Sequence, residues 1–328
     1  MSSDERAFGE QLEPHRRALH AHCYRMLGSV QDAEDAVQET LLRAWRGLDR
    51  FEGRSSLRSW LYSIATNVCL RMIERRPARV LPIDYGPPSD PHAPLGPPLL
   101  EATGIEPYPD AQLGLDDELA GPEARYEQRE AVELAFIAAL QHLPARQRAV
   151  LILREVLGFS GAEVAAALDT TPGSVYSLLQ RAHASLDERL PEFSQQATLR
   201  SLGDQRLSAI VGRYVAAWAN NDVDALVEML TESATLSMPP TAGWLRGRDA
   251  IATSLRARPL NGTQSWRLLP TSANGQPAMG VYLLDTSGAY LLHHLAVLTL
   301  HGERIDEINA FHDLSAPQPF GLPASARR

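Results

Sequence analysis

Apolar residues recur at helical spacing in two stretches near the N-terminus of the chain. The first stretch predicts a helix over residues 32–48 with one apolar and one charged face. After a break at residues 51–53, a second helix is predicted to begin at Ser55 or Ser56, since either hydroxyl can cap it. The apolar stripe that should face the core comprises Leu57, Trp60, Leu61, Ile64, Ala65, Val68 and Met72.

The opposite face of this second helix is cationic. Residues 51–79 carry a net charge of +4, although the whole chain carries −9. The side chains predicted to point outward are Arg58, Tyr62, Asn67, Arg71, Arg75 and Arg76. Arginines beside an aromatic ring and an amide suit the phosphates and unstacked bases of nucleic acid. An ordinary solvated face has the same composition, so this segment alone leaves both interpretations open.

A second helical block predicts a helix-turn-helix. A helix over residues 146–156 ends at Gly158, and Ser160 with Glu163 forms a capping-box pattern before a short helix over residues 164–168. Thr171 and Pro172 then begin a longer helix that is predicted to reach about residue 190. In a helix-turn-helix the start of the second helix enters the major groove, although short helix pairs of this kind also occur in enzymes. Its outward residues are Gly173, Ser174, Tyr176, Ser177, Gln180 and Arg181.

The C-terminal part of the chain changes from helical to alternating patterns. Two helices and, further on, a short third helix are predicted, with strands before and after the third. The predicted helices cover residues 207–219, 223–230 and 250–256, and the predicted strands cover residues 235–238, 266–270, 278–285, 290–300 and 304–312. This order predicts an α+β domain.

Proline and charge separate these blocks. Residues 80–126 contain 10 of the 23 prolines and nine acidic residues against one arginine. Such a segment sustains neither a helix nor a central strand and buries little apolar surface. It is predicted to be an acidic, extended linker.

Composition narrows the classes of protein. The chain has 328 residues, of which 44% are hydrophobic and 22% charged, as in globular proteins of two or three domains. No apolar run is long enough to span a membrane and the N-terminus does not resemble a signal peptide, so a cytoplasmic protein is predicted. The two cysteines, and His15, His20 and His22, lack metal-ligand spacing, so neither a metal site nor a cofactor is predicted.

Taken together, three ordered motifs resemble a bacterial RNA polymerase sigma factor of the extracytoplasmic-function group. Residues 32–40 are similar to the helix that binds the polymerase clamp, and residues 51–67 to the loop and helix that open and hold the −10 element. Residues 143–183 are similar to region 4, which reads the −35 element. The proline-rich joint and the C-terminal extension resemble the actinobacterial SigG- and SigJ-type subgroup, which carries a fused SnoaL-like domain.

The resemblance implies a multidomain fold with two all-α sigma domains and an α+β SnoaL/NTF2-like cone built on a curved antiparallel sheet. Region 2, a helical bundle, would span residues 1–79, the linker 80–126, the region 4 helix-turn-helix 127–195, the SnoaL-like domain 200–315 and a flexible tail 316–328. The implied partners are core RNA polymerase and promoter DNA. The residues implied to contact polymerase are Asp32, Asp35, Glu39 and Arg43. Those implied to contact DNA are Arg54, Ser55, Arg58, Tyr62, Asn67, Arg71, Arg75, Ser174, Ser177, Gln180 and Arg181.

The SnoaL-like fold implies a pocket, whose candidate residues are Trp218, Met238, Trp244, His293, His294 and His312. Because neighbouring residues on a strand point to opposite sides, at most one of His293 and His294 is expected to line the pocket. Some members of the fold are cyclases or isomerases, for which Asp285, Asp313 and the three histidines are the candidate acids and bases. A regulatory domain that senses a small-molecule ligand or contacts the sigma domains is favoured over an enzyme tethered to a DNA-binding module, and a purely structural role is the remaining alternative.

One departure from the family affects DNA binding. Positions that are often basic on the −35 helix are Tyr176, Leu178 and His183 here, which leaves Arg181 as the main cation of this helix. Because fewer phosphates are neutralised, the isolated chain is expected to bind duplex DNA weakly and to depend on polymerase for promoter recognition.

Overall fold

A computed structural model describes residues 3–48, 51, 53, 55–76, 78–93, 96–99, 104–113, 128–312, 314 and 316–326. They form two compact units. The first contains Met1–Arg79 and Gln112–Pro191, and the second contains Val80–Ala111 and Glu192–Arg328. Within the described residues, no helix is both long and apolar enough to cross a membrane.

Three helices form the first half of the first unit: α1 (Ser3–Leu27), α2 (Val30–Gly47) and α3 (Leu57–Ile73). The hydroxyl of Ser29 accepts a hydrogen bond from the amide of Asp32 at 3.1 Å, so α2 begins two residues earlier than predicted. Of the two predicted caps for α3, Ser56 is the one used. The side chains buried where the three helices meet include Leu19, Tyr24, Met26, Val37, Leu61 and Val68.

The second half of this unit is the predicted helix-turn-helix with its supporting helices. These are α4 (Leu134–Gln141), α5 (Ala145–Leu151), which continues as a π-helical turn over Ile152–Val156, α6 (Gly161–Ala167) and α7 (Pro172–Asp187). The predicted caps are present, since Ser160 and Glu163 form the capping box of α6 and Thr171 caps α7. Val175, Ala182 and Leu186 on α7 are buried, as their spacing predicts.

The second unit is a mixed sheet backed by helices. Its helices are α8 (Gln195–Ala219), which bends at Gly203, α9 (Val223–Glu228) and α10 (Arg248–Ala257). Its strands are β1 (Leu230–Ser237), β2 (Trp244–Arg246), β3 (Trp266–Ala273), β4 (Gln276–Leu284), β5 (Tyr290–His301), β6 (Arg304–Phe311) and β7 (Ser325–Ala326). The strand order is β2-β1-β6-β5-β4-β3, with β7 beside β5. The expectation of a wholly antiparallel sheet is wrong, because β1 pairs with β6 in parallel.

The described part of the predicted linker up to residue 111 packs on the sheet of the second unit. The amide of Tyr108 donates to Oδ1 of Asn274 at 2.8 Å, and the amide of Asn274 donates back to the carbonyl of Tyr108 at 2.9 Å. The indole of Trp244 donates to the carbonyl of Gly86 at 2.9 Å, and Tyr108 is fully buried. The prediction of an extended linker is therefore wrong for these residues. Backbone groups of this segment form hydrogen bonds with the second unit, and amino-acid composition does not indicate such bonds.

The predicted flexible tail also packs on the second unit as far as residue 326. Phe320 and Leu322 are buried, and the hydroxyl of Tyr282 donates to the carbonyl of Pro323 at 2.7 Å. A Cβ at Gly280 would lie only 2.8 Å from the methyl groups of Leu322, so a larger residue there would displace the Leu322 side chain. The tail is ordered because its apolar side chains cover strands β3 to β5.

Candidate functional site

Asp32 lies inside the first unit and not on the exposed face that the sequence suggested for polymerase binding. Its carboxylate accepts hydrogen bonds from Arg76 and, at 2.8 Å, from Arg79. The side chain of Asp32 is 8% exposed and that of Arg79 is 10% exposed. Helical periodicity does not reveal this burial, because the two arginines that pair with Asp32 are more than forty residues away in the chain. Asp32 therefore holds the end of region 2 together.

This placement predicts a stability effect. Replacing Asp32 with Asn leaves two arginines without their carboxylate, and breaking a buried ion pair typically costs about 3–5 kcal/mol. We expect urea unfolding to show a loss of about 2–4 kcal/mol, because Arg76 is half exposed and recovers some hydration. The matched variant Asp35→Asn changes an exposed carboxylate one helical turn away. It should leave the free energy of unfolding within about 0.5 kcal/mol of the wild type, and equal losses in both variants would contradict the assignment.

The exposed face of α2 combines acidic and apolar side chains. Asp35 is exposed, and Glu39 accepts a hydrogen bond from Arg43 at 2.6 Å. Leu42 and Trp45 follow on the same face and are 40% and 48% exposed. Ala44, the neighbour of Trp45, is fully buried, so the inward position of this turn is taken by the alanine. Two large apolar side chains left in solvent beside carboxylates are typical of a protein-binding surface.

The face of α3 that was predicted to meet unstacked bases is covered by region 4. Tyr62 is 3% exposed, and its ring packs edge-on against Phe159 with centroids 5.4 Å apart. The guanidinium of Arg58 lies 4.4 Å from the centre of the Phe159 ring and donates to the carbonyl of Leu157. Tyr62 is therefore not an outward residue here, in contrast to the sequence prediction.

Further hydrogen bonds extend this contact along α3. Ser59 donates to the carboxylate of Glu163 at 3.1 Å, and Asn67 donates to the carbonyl of Ala167 at 3.2 Å. The hydrogen bonds that Glu163 accepts lower its pKa. The amide of Ser160 contributes most, followed by the hydroxyls of Ser160 and Ser59. Regions 2 and 4 are thus closed on each other, and the contact uses residues predicted to bind DNA.

Three of the remaining candidates on region 2 are accessible. Ser55, Arg71 and Arg75 are exposed, and Arg71 shares a shallow groove with Arg43, Trp60 and Asn67. Arg54 lies outside the described residues. The accessible cations of this group, Arg71 and Arg75, therefore lie at the C-terminal end of α3, and its centre is occupied by region 4.

The start of α7 presents polar side chains to solvent. Ser177, Gln180 and Arg181 are exposed and Ser174 is half-buried, while Tyr176 is 55% exposed. His183 lies 3.9 Å from Glu155. The geometry is that of a recognition helix with one arginine, Arg181, just past its middle.

The second unit contains a cavity of about 220 Å³ between the sheet and the helices α8 to α10. The structure places Trp218, Met238, His293, His294 and His312 in its wall, which is otherwise mostly aliphatic, with Ser254 and Arg258 as the other polar members. Trp244 is not part of this wall, because it faces the linker. No carboxylate occurs among the described residues that line the cavity.

Both His293 and His294 reach the cavity, contrary to the expectation from strand alternation. In the pairing of β4 with β5, Val281 lies opposite His294 and Tyr282 lies opposite Leu292. His293 is therefore the extra residue of a β-bulge, which turns its side chain toward its neighbour. The two Nδ1 atoms are 2.9 Å apart.

His312 joins them through the register of the next strand pair. Leu295 lies opposite Phe311 in the antiparallel pair β5–β6, so His312 follows directly across from His294 on the same side of the sheet. The ring centroid of His312 is 4.9 Å from those of His293 and His294. Burial lowers the pKa of all three histidines, that of His312 to about 4, and the neighbouring imidazoles lower those of His294 and His312 further.

The two aspartates considered as acids or bases lie elsewhere. Asp285 is exposed and accepts hydrogen bonds from Ser287 and Ala289, which lower its pKa. It closes the turn between β4 and β5 and does not line the cavity. Asp313 lies outside the described residues.

Comparisons with known proteins agree with this arrangement. Family models match sigma-70 region 2 over residues 12–78, sigma-70 region 4 over residues 133–186 and a SnoaL-like domain over residues 211–308. The ECF RNA polymerase sigma factor SigG of Mycobacterium tuberculosis is 44% identical over 335 residues, which cover 98% of this chain and 86% of SigG. The chain belongs to the extracytoplasmic-function sigma factors.

Other relatives show which parts of this sigma factor are shared. The ECF sigma factor SigW of Bacillus subtilis is 28% identical over an alignment that covers 57% of this chain and 90% of SigW. The crystal structure of M. tuberculosis SigJ matches the fold over 96% of this chain and 99% of SigJ, with a TM-score of 0.58 and 21% identity. As a sigma factor, the protein binds core RNA polymerase and promoter DNA and directs transcription initiation.

Sequence reasoning missed several residues of this sigma factor. Phe159 gave no signal, because an aromatic residue in a loop is not periodic. The exposure of Leu42 and Trp45 gave no signal either, because apolar residues of an amphipathic helix are expected to face inward. The linker partner Asn274 did carry a signal, since Asn274-Gly275 is a typical hairpin turn between two strands, and Asn274 has a φ of 55°.

Proposed function

We propose that the C-terminal SnoaL-like domain regulates this sigma factor by holding the linker between its two promoter-reading regions. The observation that carries the proposal is the reciprocal pair of hydrogen bonds between Tyr108 and Asn274, supported by the bond from Trp244 to Gly86. Release of residues 80–111 would add a chain that can extend to about 100 Å. Whether the linker is bound or free therefore sets how far regions 2 and 4 can separate.

The second part of the proposal is that this domain is a binding module and not an enzyme. A general acid or base works best with a pKa near the working pH, whereas burial and mutual proximity lower the pKa values of the cavity histidines. The aliphatic wall suits a small apolar ligand, and a cavity of about 150 Å³ is already large enough for benzene. Such a ligand would bias the linker contacts from within the domain, which supports a regulatory role over a cyclase or isomerase.

The proposed contacts with partners follow the exposed surfaces. Polymerase would bind the face of α2 formed by Asp35, Glu39, Leu42 and Trp45, in the cytoplasm where polymerase works. The −35 element would be read from the start of α7. The residues proposed for this are Ser174, Ser177, Gln180 and Arg181. The −10 element would be read from α3 after region 4 has moved away, with Ser55, Arg58, Asn67, Arg71 and Arg75 as its contacts.

The linker proposal predicts a gain of activity when the contacts are weakened. The double variant Trp244→Phe with Asn274→Gly removes the indole donor to Gly86 and the side-chain acceptor for Tyr108. Glycine keeps the positive φ of residue 274. Two hydrogen bonds are worth about 1–3 kcal/mol, so we expect run-off transcription with core polymerase to rise about tenfold.

The matched control is Asn221→Gly, which changes the same residue type at a φ of 55° in the same domain. Asn221 donates to Gln264 and not to the linker. Activity of the double variant at or below the wild-type level, with its fold intact by circular dichroism, would contradict regulation through the linker.

A further inference from the structure

We propose that His293, His294 and His312 bind one divalent transition-metal ion of the zinc type in the cavity of the SnoaL-like domain. Each side chain offers one ring nitrogen, and the three nitrogens lie within 4.8 Å of one another. Within the described part of the chain, this is the one group of three or more His, Cys, Asp or Glu side chains placed to hold a metal ion.

The backbone brings the three imidazoles together. The β-bulge at His293 turns two successive side chains to the same side, and the β5–β6 register sets His312 opposite His294. The amide of His312 is fixed by the carbonyl of Pro239 at 3.0 Å. Bulges frequently serve to re-aim a side chain at a functional site.

The spacing suits a tetrahedral ion. Bonds of about 2.0–2.1 Å from zinc to imidazole place the nitrogens about 3.3 Å apart. The Nδ1 atoms of His293 and His294 are 2.9 Å apart, and all three ligand nitrogens lie within 4.8 Å of one another, so the larger adjustment falls on His312. Three histidines leave a fourth position for water or for a donor atom of a cavity ligand, as in catalytic zinc sites.

The surroundings bear on which ion the three imidazoles would bind. Among the described residues, the rest of the wall is mostly aliphatic and aromatic, with Ser254 and Arg258 as its other polar members. The rings are oriented by edge-on packing, of His293 on Trp266 and of His294 on Trp218. No described carboxylate lines the cavity to support the ligands, so imidazole-preferring ions such as Zn²⁺, Ni²⁺ and Cu²⁺ are favoured over Mg²⁺ or Ca²⁺.

The test uses the full chain, freed of metal and titrated with Co²⁺, whose visible absorption reports coordination geometry. We expect one equivalent to give the intense absorption of a tetrahedral ion and Zn²⁺ to displace it. His293→Gln and His312→Gln should each weaken zinc binding about 100-fold or more, beyond the 10–100-fold typical of losing an outer-shell partner. The control His301→Gln, at the exposed end of the same strand, should bind as the wild type does.

A second measurement does not depend on the variants being folded. Zinc K-edge absorption of the wild-type protein should show three imidazole nitrogens at about 2.0–2.1 Å. One imidazole or none, octahedral cobalt spectra, or zinc binding that survives in both folded variants would each overturn the proposal. The readouts are independent of transcription, so they separate this site from the proposed role of the linker.

Discussion

Charge reversal at Asp35 and Glu39 should abolish binding of this sigma factor to core RNA polymerase. Both carboxylates lie on the exposed face of α2, next to Leu42 and Trp45. Like charges brought together at an interface cost several kcal/mol, and a buried tryptophan at the centre of an interface is often worth about 2–4 kcal/mol. We therefore expect a loss of affinity of at least about 100-fold for Asp35→Arg with Glu39→Arg, and a comparable loss for Trp45→Ala.

The measurement is a fluorescence titration of labelled full-length protein with core polymerase. The control is Glu192→Arg with Asp204→Arg, two exposed acidic residues of the second unit that give the same change in charge. Because all four substituted side chains reach solvent, neither double variant should lose its fold. Wild-type affinity in the α2 variants would show that polymerase binds another surface.

The local elements of this protein could be predicted because their signals are local. A hydroxyl before a helix caps it whatever lies further along the chain, so Ser160, Thr171 and Pro172 marked the helix-turn-helix correctly. The strands β3 to β6 were also found within a few residues, from alternation and turn residues. The family was recognised from the order of three such local motifs.

The errors share another cause, which is that each depends on a partner distant in sequence. Asp32 is buried by Arg76 and Arg79, and Tyr62 is buried by Phe159. Helical periodicity identifies the face toward one core, but it does not indicate that a second surface covers the opposite face. The same applies to residues 80–111, which are held through backbone groups that every sequence provides.

The histidine cluster shows how one residue changes a site. Strict alternation separates His293 from His294, and a single extra residue in β5 reverses that conclusion. No side chain in the sequence around it marks the bulge. The register of β5 with β4 and β6 is needed to show that the three histidines lie together.

Phe159→Ala should weaken the contact that holds regions 2 and 4 together, and so shift the sigma factor from closed to open molecules. Phe159 is 4% exposed and packs against Tyr62 and Arg58. Truncating a buried phenylalanine costs about 3–5 kcal/mol, of which part falls on region 4 itself. If about 2.7 kcal/mol falls on the contact, the ratio of closed to open molecules falls about 100-fold.

Opening should uncover the centre of α3, where Tyr62 and Asn67 lie. We expect faster hydrogen exchange over residues 58–67 and about 100-fold tighter binding of a single-stranded −10 oligonucleotide by the free sigma factor, since the competent fraction limits the apparent affinity. Leu186→Ala, a buried change near the C-terminal end of α7, controls for lost stability of region 4. If exchange over α3 and oligonucleotide binding respond alike in both variants, general destabilisation and not release of the contact would be the cause. A response confined to Phe159→Ala would mean that the sigma factor masks its own −10 reader until polymerase or the promoter separates its two regions.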